Sequence, residues 1–321
     1  MAVSSSIGID VGGTKILAGL VDAEGRVLHQ ARRQSARNDP TNVLNTVCEV
    51  VDELQGASDE VVLGVGLGIA GPVDADRSTV FYAPNLGWPQ VPVRDLLTDR
   101  VGLPVIVEND GNAAAWGEFL AGAGANVQDL TVITVGTGIG GGIIINGELL
   151  RGAHGAAGEI GHMNAVPNGR PCGCGRNGCW EQYASGNALV REARTLAAER
   201  RQEAGLLLSL GDGTPEGVQG LHVTAAAREG DPVAMEAFAV VGTWLGRGLA
   251  DLSSILDPGA FVIGGGVSEA GDLLLDSARA TLAEKLTVGR SRRPIPEVRL
   301  ATLGNEAGLI GAAALAAAAA A

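Results

Sequence analysis

The sequence predicts an α/β protein of two domains, and three observations lead to that prediction. Short apolar strands alternate with helical segments along 321 residues, a length that suits two domains of ordinary size. A unit of strand, Gly/Thr-rich turn, strand, tight turn and strand occurs at 7–28 and again at 131–150. Two copies of one unit indicate a duplicated domain with a cleft between the copies. We expect a smaller domain at 1–120 joined by a C-terminal helix at about 306–321, and a larger domain at 121–305.

The first part of the chain predicts five strands and three helices of the smaller domain. Apolar runs bounded by turn residues predict strands at 7–10, 16–21, 26–28, 61–69 and 104–107. Apolar residues at helical spacing predict helices at 43–54 and 94–101, and an Ala-rich helix at 113–120. Asn112 precedes the last of these helices and is of a residue type that caps helix N-termini, so we expect it to be the cap.

The second half repeats the strand pattern and then becomes helical. Strands are predicted at 131–135, 143–145, 148–150 and 261–263, with a hairpin turn at 146–147. Helices are predicted at 185–201, from Asp231-Pro232 to 254, and from about 306. The stretch 202–221 predicts a loop with one short apolar segment.

The charge of the chain excludes one class of partner. Its formal net charge is −13, whereas nucleic acids and anionic membranes require a basic surface. We see no apolar run of about twenty residues that would span a bilayer, and no basic leader before the first strand. We therefore expect no nucleic-acid or membrane partner. Because the cysteines are assigned below to a metal and not to disulfides, we expect a cytoplasmic location.

Three of the four cysteines fall within eight residues, separated by glycines. Cys172, Cys174 and Cys179, with His162 ten residues upstream, supply three thiolates and one imidazole, a closed tetrahedral set that suits structural zinc. A disulfide between Cys172 and Cys174 would close an implausibly small ring, and a redox Cys-x-x-Cys pair is absent. A chance cluster of buried thiols is the remaining alternative. Cys48 lies beside an apolar helical stripe and is interpreted as a core residue.

Polar residues mark two candidate ligand sites. Glu159 and Glu181 bracket the metal loop, which indicates a pocket held in place by its zinc. The polar stretch 108–112 follows the strand at 104–107, and the carboxyl ends of parallel strands are where ligands bind in open α/β sheets. A plain turn with a helix cap is the alternative for this second stretch.

The glycine-rich turns predict a polyphosphate site. The segment 136–141 fits G-x-G-x-x-G, but a strand follows it where a dinucleotide-binding fold needs a helix, and no Walker-type motif occurs. Two Gly/Thr turns can present backbone N–H groups and hydroxyls to a polyphosphate. Asp10 at the end of the first strand is placed to hold Mg²⁺, and Lys15 adds positive charge. A third cluster, 264–266, would let an adenine or ribose approach the backbone, with a plain strand-to-helix turn as the alternative.

With these residues identified, the chain resembles the ROK family (repressors, open reading frames and sugar kinases), and most closely its bacterial glucose kinases. The family has the actin-like ATPase (ribonuclease H-like) fold, here with duplicated phosphate-binding hairpins and an inserted zinc loop. The resemblance covers essentially the whole chain and rests on five segments: 10–15, 134–140, 263–266, 108–110 and 172–181. The last is highly specific, whereas the first two occur in other actin-like kinases. Family repressors carry an N-terminal helix-turn-helix, for which we expect no room before Ile7.

The resemblance implies a role for each matching residue. Asp110 would be the general base on the 6-hydroxyl of the sugar, and His162 would use one ring nitrogen for zinc and the other for the sugar. The implied sugar-binding residues are Gly71, Asn85, Asn109, Asp110, Glu159, His162 and Glu181. The implied nucleotide-binding residues are Asp10, Gly12, Gly13, Thr14, Lys15, Gly136, Thr137, Gly138, Gly140, Gly264, Gly265 and Gly266.

The implied activity is transfer of the γ-phosphoryl group of ATP to a hexose, with glucose as the expected acceptor and glucose 6-phosphate as the product. The implied cofactors are ATP, Mg²⁺ and a structural Zn²⁺, and the implied assembly is a homodimer or homotetramer. Fructose, mannose or an N-acetylhexosamine as the sugar, and polyphosphate as the donor, stay open. A non-catalytic sugar-sensing regulator is an alternative of another class, and a nicotinamide dehydrogenase is the third.

Overall fold

The structure is a computed structural model in which residues 4–83, 85–286 and 293–320 are described. Residues 1–3 and 321, the ends of the predicted smaller domain, lie outside this part of the chain. The strands are β1 (Ser4–Val11), β2 (Lys15–Asp22), β3 (Val27–Gln34), β4 (Val61–Ile69), β5 (Val105–Asn109), β6 (Leu130–Val135), β7 (Ile139–Ile145), β8 (Glu148–Leu149), β9 (Ala260–Gly264) and β10 (Glu297–Leu300).

The helices account for about half of the remaining described chain. They are α1 (Pro40–Gly56), α2 (Val93–Val101), α3 (Asp110–Ala121), α4 (Glu181–Ala184), α5 (Gly186–Glu199), α6 (Gly205–Leu210), α7 (Gly220–Arg228), α8 (Pro232–Leu256), α9 (Asp272–Lys285) and α10 (Ala307–Ala320). In the described residues, no helix combines the length and the apolar character needed to span a membrane. The α/β class is confirmed by the two sheets, each of five strands among the described residues, and the helices around them.

The first sheet has the strand order β3-β2-β1-β4-β5. Strands β1, β4 and β5 are parallel, so their carboxyl ends lie at one edge of the sheet. The register places Asp10 beside Gly68, and Gly68 beside Glu108, in one row across the three strands. Because Asp110 follows β5 at this edge, the fold brings the carboxylates of the first and the fifth strand into one neighbourhood.

Helix α10 packs unusually closely on this sheet because the contact positions are glycines. A Cβ on Gly8 would overlap the carbonyl oxygen of Leu309, and a Cβ on Gly66 would overlap that of Ala312. The Ala-rich tail is therefore a packed helix whose small side chains match glycines in the strands below it. The helix and strand backbones lie so close together that the strand has no room for even a methyl group at these positions.

The second sheet has the strand order β10-β9-β6-β7-β8. The longest helix, α8, begins after Asp231, whose side chain accepts hydrogen bonds from the backbone N–H groups of Val233 and Ala234. The predicted cap followed by Pro232 is thus found at the helix start. Helix α8 lies against α9 through Gly242 and Gly246, where a Cβ would crowd the α9 backbone.

The chain divides into two compact units. The first unit comprises 1–132, 141–158 and 301–321, and the second comprises 133–140 and 159–300. The predicted division assigned 121–132 and 141–158 to the larger domain instead. The β7–β8 hairpin joins the first unit because it packs on α3: a Cβ on Gly142 would collide with Ala115, and the N–H of Gly147 donates to the carbonyl of Gln128.

Several element predictions need correction. Asn112 is not the cap of the Ala-rich helix: α3 begins at Asp110, and the side chain of Asn109 caps it by accepting the N–H of Asn112 at 3.1 Å. The predicted loop 202–221 contains α6 and the first residues of α7. The sequence analysis also missed α9 and β10, the latter a strand of only four residues.

Candidate functional site

Two carboxylates stand at the carboxyl edge of the first sheet. Asp10 lies one residue before the end of β1, and Asp110 is the first residue of α3, directly after β5. Burial, helped by the negative charge of Asp110 and opposed by Lys15, raises the pKa of Asp10 to about 6. A carboxyl group in this condition is stabilised by any cation that approaches it.

Asp110 is held by its own helix turn. Its Oδ1 accepts the backbone N–H of Gly111 at 2.9 Å. Burial raises the pKa of Asp110, and the hydrogen bonds from the Gly111 N–H, its own N–H and the Asn109 side chain oppose that rise. A carboxylate with a raised pKa is a stronger base than an exposed aspartate, which suits proton abstraction from a hydroxyl.

Asn109 is fixed from both ends of its amide. Its Oδ1 accepts the N–H of Asn112, and its Nδ2 donates to the carbonyl of Gly71 at 3.2 Å. Its other N–H is used by the side-chain hydrogen bond to Asp110, so one lone pair of Oδ1 remains for a ligand. Gly71 itself sits where a Cβ would overlap the carbonyl oxygen of Tyr82.

The first glycine turn, 12–14, is closed by a hydrogen bond from the N–H of Gly12 to the carbonyl of Lys15 at 2.9 Å. A Cβ on Gly13 would lie 2.8 Å from the carbonyl oxygen of Asn85, so Asn85 borders this turn. Thr14 is exposed, and Nζ of Lys15 donates to Oδ1 of Asn305 at 3.3 Å. The turn thus offers exposed backbone and one ammonium group.

The second glycine turn, 136–138, is supported by residues from the metal loop. The N–H of Gly136 donates to the carbonyl of Gly138 at 3.0 Å, and Thr137 is exposed. Oε2 of Glu181 accepts the N–H of Ile139 at 3.4 Å, and a Cβ on Gly138 would overlap that same oxygen. Glu181 therefore connects the predicted phosphate turn to the metal loop.

The third glycine cluster adjoins the second turn. Gly264 is the buried last residue of β9, while Gly265 and Gly266 are exposed. Gly265 has a positive φ of 85°, and a Cβ there would lie 2.6 Å from the carbonyl oxygen of Val135. Only glycine meets both requirements. Gly140 lies nearby on β7, with Oγ1 of Thr134 2.8 Å from the position that its Cβ would take.

The predicted metal ligands come together. One donor atom from each of His162, Cys172, Cys174 and Cys179 lies within 4.8 Å of all the others. The sulfurs of Cys174 and Cys179 are 3.6 Å apart, and Nδ1 of His162 is 3.7 Å from the sulfur of Cys172. Tetrahedral zinc with bonds of about 2.0–2.3 Å needs ligand separations of this size, so the residues fit the ion.

The thiols of this cluster differ in acidity. Burial raises the pKa of Cys172 to about 12. Burial also raises the pKa of Cys179, the largest contribution there. At Cys174 the effect of burial is outweighed by hydrogen bonds from the Arg176 backbone and the neighbouring thiols, which lower its pKa to about 7. Cys174 is thus the thiol that most readily gives up its proton, as a metal ligand must.

His162 presents its two ring nitrogens to different neighbours. Nδ1 faces Cys172, while Nε2 lies 3.9 Å from Oε2 of Glu159. Metal ligation through Nδ1 would leave Nε2 with the proton, directed away from the thiols. The other Glu181 oxygen, Oε1, accepts from the Cys172 thiol at 2.9 Å.

The predicted site residues thus form two groups, each within one compact unit. The first unit holds Asp10, Gly12, Gly13, Thr14, Lys15, Gly71, Asn85, Asn109 and Asp110. The second unit holds Gly136, Thr137, Gly138, Gly140, Glu159, His162, Cys172, Cys174, Cys179, Glu181, Gly264, Gly265 and Gly266. The sequence analysis missed Asn305, the partner of Lys15, because the two lie 290 residues apart and no local pattern connects them.

Comparison with known proteins gives one family. Residues 6–319 match the model of the ROK family. The chain is 49% identical over 311 residues to the glucokinase of Streptomyces coelicolor, and the match covers 97% of each chain. It is 32% identical over 288 residues to the xylose repressor of Caldicellulosiruptor bescii, which covers 88% of this chain and 71% of the repressor.

A solved structure agrees with the sequence matches. The crystal structure of a ROK family glucokinase from Streptomyces griseus, in complex with glucose and AMPPNP, aligns with a TM-score of 0.86. It is 49% identical in sequence, and the alignment covers 97% of this chain and 98% of that one.

Proposed function

We propose that this chain, which belongs to the ROK family, is a glucokinase that transfers the γ-phosphoryl group of ATP to the 6-hydroxyl of glucose. The observation that supports this most strongly is the likeness, over almost the full length of both chains, to the Streptomyces coelicolor glucokinase and to the glucose- and AMPPNP-bound Streptomyces griseus enzyme. The carboxylate that the chemistry requires stands at a strand end beside a helix start.

Asp110 is the proposed general base. Phosphoryl transfer demands positioning and charge stabilisation more than covalent chemistry, and one carboxylate suffices to orient and deprotonate the acceptor hydroxyl. The hydrogen bond from Gly111 holds Oδ1, and we assign Oδ2 to the 6-hydroxyl. The raised pKa of Asp110, caused by burial, makes that oxygen more basic.

The sugar hydroxyls are assigned to polar groups of both units. In the first unit these are the remaining lone pair of Asn109, together with Gly71 and Asn85. In the second unit the proposed ligands are Glu159, His162 through Nε2, and Glu181. Carboxylates accept from hydroxyls and an imidazole N–H donates to one, so the set can bind a polyol through both donor and acceptor groups.

The nucleotide is assigned to the three glycine clusters. Gly12, Gly13, Thr14 and Lys15, together with Gly136, Thr137, Gly138 and Gly140, present backbone N–H groups, hydroxyls and one ammonium group to the phosphates. The adenosine is assigned to Gly264, Gly265 and Gly266. Mg²⁺ would be held by Asp10 and would neutralise phosphate charge. The buried, cation-seeking carboxyl of Asp10 fits that ion.

A structural Zn²⁺ would be held by His162, Cys172, Cys174 and Cys179 and would fix the loop that carries Glu181. Thiolate ligation requires reduced cysteines, which suits the cytoplasm. We also propose a homodimer or homotetramer, which light scattering on a sizing column would measure.

A sugar-responsive regulator is the second candidate, because a xylose repressor is 32% identical to this chain. The presence of Asp110 at the strand end, together with both glycine turns, favours catalysis instead, since a sensor needs no base.

A turnover screen tests the proposal. Formation of the sugar phosphate is measured with glucose, fructose, mannose and N-acetylglucosamine, each with ATP and with polyphosphate as donor. Glucose with ATP should give the highest kcat/KM. A higher kcat/KM for another hexose would keep the kinase and change its substrate, and sugar binding without turnover for every pair would favour the regulator.

A further inference from the structure

A buried carboxylate lies immediately before the proposed base. Glu108 on β5 has a relative exposure of 1%. Its Oε1 accepts the backbone N–H of Asn109 at 3.0 Å and Nδ2 of Asn112 at 3.1 Å. Its Oε2 is 2.9 Å from Nε of Arg77 and 2.7 Å from Nε of Arg151. Both oxygens are therefore occupied, one by the helix start and the other by two guanidinium groups.

The two arginines are themselves held in place. Arg151 donates to the carbonyls of Ala75 at 2.6 Å and Asp74 at 2.7 Å, while its Nε meets Glu108 as an ion pair outside hydrogen-bond geometry. Arg77 has a left-handed backbone with φ of 55°, and its carbonyl accepts the N–H of Val107 on β5. A non-glycine residue in this region is uncommon and needs surrounding contacts to keep it there.

The partners of Oε1 are the residues that begin α3. Asn109 caps the helix through its side chain, and Asn112 supplies the N–H that the cap accepts. Asp110 lies between them. A movement of Glu108 is therefore passed to the helix turn that carries the base through two hydrogen bonds, one to the backbone of Asn109 and one to the buried side chain of Asn112.

We propose that Glu108, held by Arg77 and Arg151, is a positioning residue that aligns Asp110 with the acceptor hydroxyl. This inference rests on the proposed function. Removing the charge of a buried, paired carboxylate leaves its cationic partners uncompensated, so the strand end and the cap rearrange. A misplacement of the base of about 1 Å can cost about 100-fold in rate, whereas hydroxyl binding by several other groups tolerates it better.

The structure offers a matched control. Arg94 lines the same cavity of about 470 Å³ as Arg77 and Arg151. It donates to the carbonyl of Asp76 and pairs with Asp95, and has no hydrogen bond or ion pair to Glu108. Replacing Arg94 removes the same charge from the same cavity without touching the carboxylate.

The experiment compares Glu108→Gln, Arg151→Gln and Arg94→Gln with the wild type, at a temperature where circular dichroism shows each to be folded. We expect kcat for glucose to fall about 10- to 100-fold in the first two variants. In these two variants the KM for glucose should stay within about threefold of the wild-type value. The kcat of Arg94→Gln should stay within about twofold of wild type. The double variant Glu108→Gln/Arg151→Gln should lose less than the product of the single losses, because both changes break one contact.

A second readout separates alignment from general destabilisation. Because Arg151 lines the cavity, we expect millimolar guanidinium to enter the space left in Arg151→Ala and restore part of its kcat, and to restore none of any loss in Arg94→Ala. If Glu108→Gln does not fold, the kcat of Arg151→Lys and the guanidinium rescue of Arg151→Ala test the inference in its place. A folded Glu108→Gln with a wild-type kcat would overturn this inference and leave the proposed function intact. The same holds if the kcat losses of the two single variants multiply in the double variant and guanidinium restores no activity to Arg151→Ala. A wild type that does not phosphorylate glucose would overturn the proposed function as well.

Discussion

The two glycine turns, 12–14 and 136–138, share a strand-turn-strand plan but have different surroundings. The first turn follows Asp10 and precedes Lys15, so charged groups flank it in the sequence. The second turn lies between Val135 and Ile139 and borrows its only described carboxylate contact, Glu181, from the metal loop. The two copies therefore share a plan of strand, turn and strand but differ in the charged groups around the turn.

This difference indicates a division of labour between the two compact units. In the first unit the polar atoms belong to strand ends, where Asp10 and Asp110 can take part in chemistry directly. In the second unit the cluster proposed to hold zinc lies next to Glu181, and the side chain of Glu181 contacts the turn 136–138. A change at Asp110 should thus reduce catalysis at nearly constant binding, whereas changes in the cysteine cluster should reduce binding and stability together.

The largest expected effect is on catalysis and comes from Asp110→Asn. The amide keeps the size of the side chain and an oxygen for hydrogen bonding but cannot accept a proton. General-base catalysis contributes roughly 10²–10⁴-fold, so kcat should fall by at least that range. Glucose affinity by calorimetry should stay within about tenfold, or 1.4 kcal/mol.

Asp272→Asn is the matched control for this change, because Asp272 is also the first residue of a helix, α9, and is exposed. It should alter stability by a few tenths of a kcal/mol, as expected for a charge near a helix N-terminus, and leave kcat alone. If Asp110 only stabilised its helix, the two variants would behave alike. A folded Asp110→Asn enzyme with a near-normal kcat would remove Asp110 from the mechanism.

The second effect concerns the metal. Purified protein should contain about one zinc per chain, and Cys174→Ala should lose it, lower the Tm and raise the KM for glucose about 10- to 100-fold, since the metal orients His162 and the Glu181 loop. Cys48→Ala should keep the zinc, because Cys48 lies on α1 outside the cluster. Normal glucose affinity in a zinc-free Cys174→Ala would break the link between loop and pocket.

How far the sequence could predict this site depends on where each residue's partners lie. The zinc ligands span only 18 positions and the turns are contiguous, so local spacing predicted the cluster that the structure brings together. The partners of Glu108 lie 31 and 43 residues away and have no motif of their own. The cap was assigned to Asn112 because residue type alone cannot distinguish the side chain that accepts from the N–H that donates.

Elements were missed for a similar reason. Helix α9 packs against α8. The contact positions on α8 are Gly242 and Gly246, and glycine contributes nothing to a hydrophobic pattern in the sequence. Strand β10 is four residues long and pairs with β9, so a short alternation of polar and apolar residues was its only mark. Tertiary contacts, not local propensity, determine both.

The third effect is a pH dependence of stability. Asp10 has a folded pKa of about 6 against an ordinary value of 3.8, so the folded state holds its proton more tightly. Its stabilising contribution is fully present below 3.8 and is lost as the pH rises through about 6, by about 3 kcal/mol. Without added Mg²⁺, Asp10→Asn should therefore be more stable than wild type at pH 8 and show a smaller difference at pH 4.

Asp22 lies at the other end of the same strand pair, and its contribution to stability should change with pH in the opposite direction. Burial would raise its pKa, but the backbone N–H and guanidinium of Arg26 outweigh burial and lower it. Asp22→Asn should thus destabilise the protein at neutral pH and cost less as the pH falls below the ordinary value. Thermal melts of both variants across this pH range check the pair. If the Tm of the two variants changed with pH in the same way, Asp10 would not lie in a site that disfavours its charged form.

The fourth effect compares rigid and flexible neighbours of the two turns. Gly13→Ala places a Cβ 2.8 Å from a backbone oxygen of Asn85, which cannot rotate away, so it should cost about 1–3 kcal/mol of stability. Gly138→Ala meets the end of the Glu181 side chain, which can swing aside at the loss of its bond to Ile139. It should cost less stability but raise the KM for glucose. Equal melting temperatures would contradict the comparison.

The smallest expected effect on stability comes from Gly136→Ala, and it is the most direct test of the second turn as a phosphate site. No protein atom lies within 4 Å of the position that a Cβ would take there, and its φ is not positive. Replacing glycine by alanine at such a position stabilises by about 0.4–1 kcal/mol through the unfolded chain, so the Tm should rise slightly or stay level. If that open space holds phosphate, however, the methyl group should raise the KM for ATP about tenfold while the KM for glucose stays level.

Gly56→Ala is the matched control, because Gly56 lies at the end of α1 with nothing within 4 Å of its Cβ position, and it should leave both KM values alone. Gly230→Ala is a poor control because the φ of 85° at Gly230 strains an alanine. An ATP KM that is equal in Gly136→Ala, Gly56→Ala and wild type would mean that phosphate does not approach this turn, and the second copy of the hairpin would then serve only as a support for the sheet.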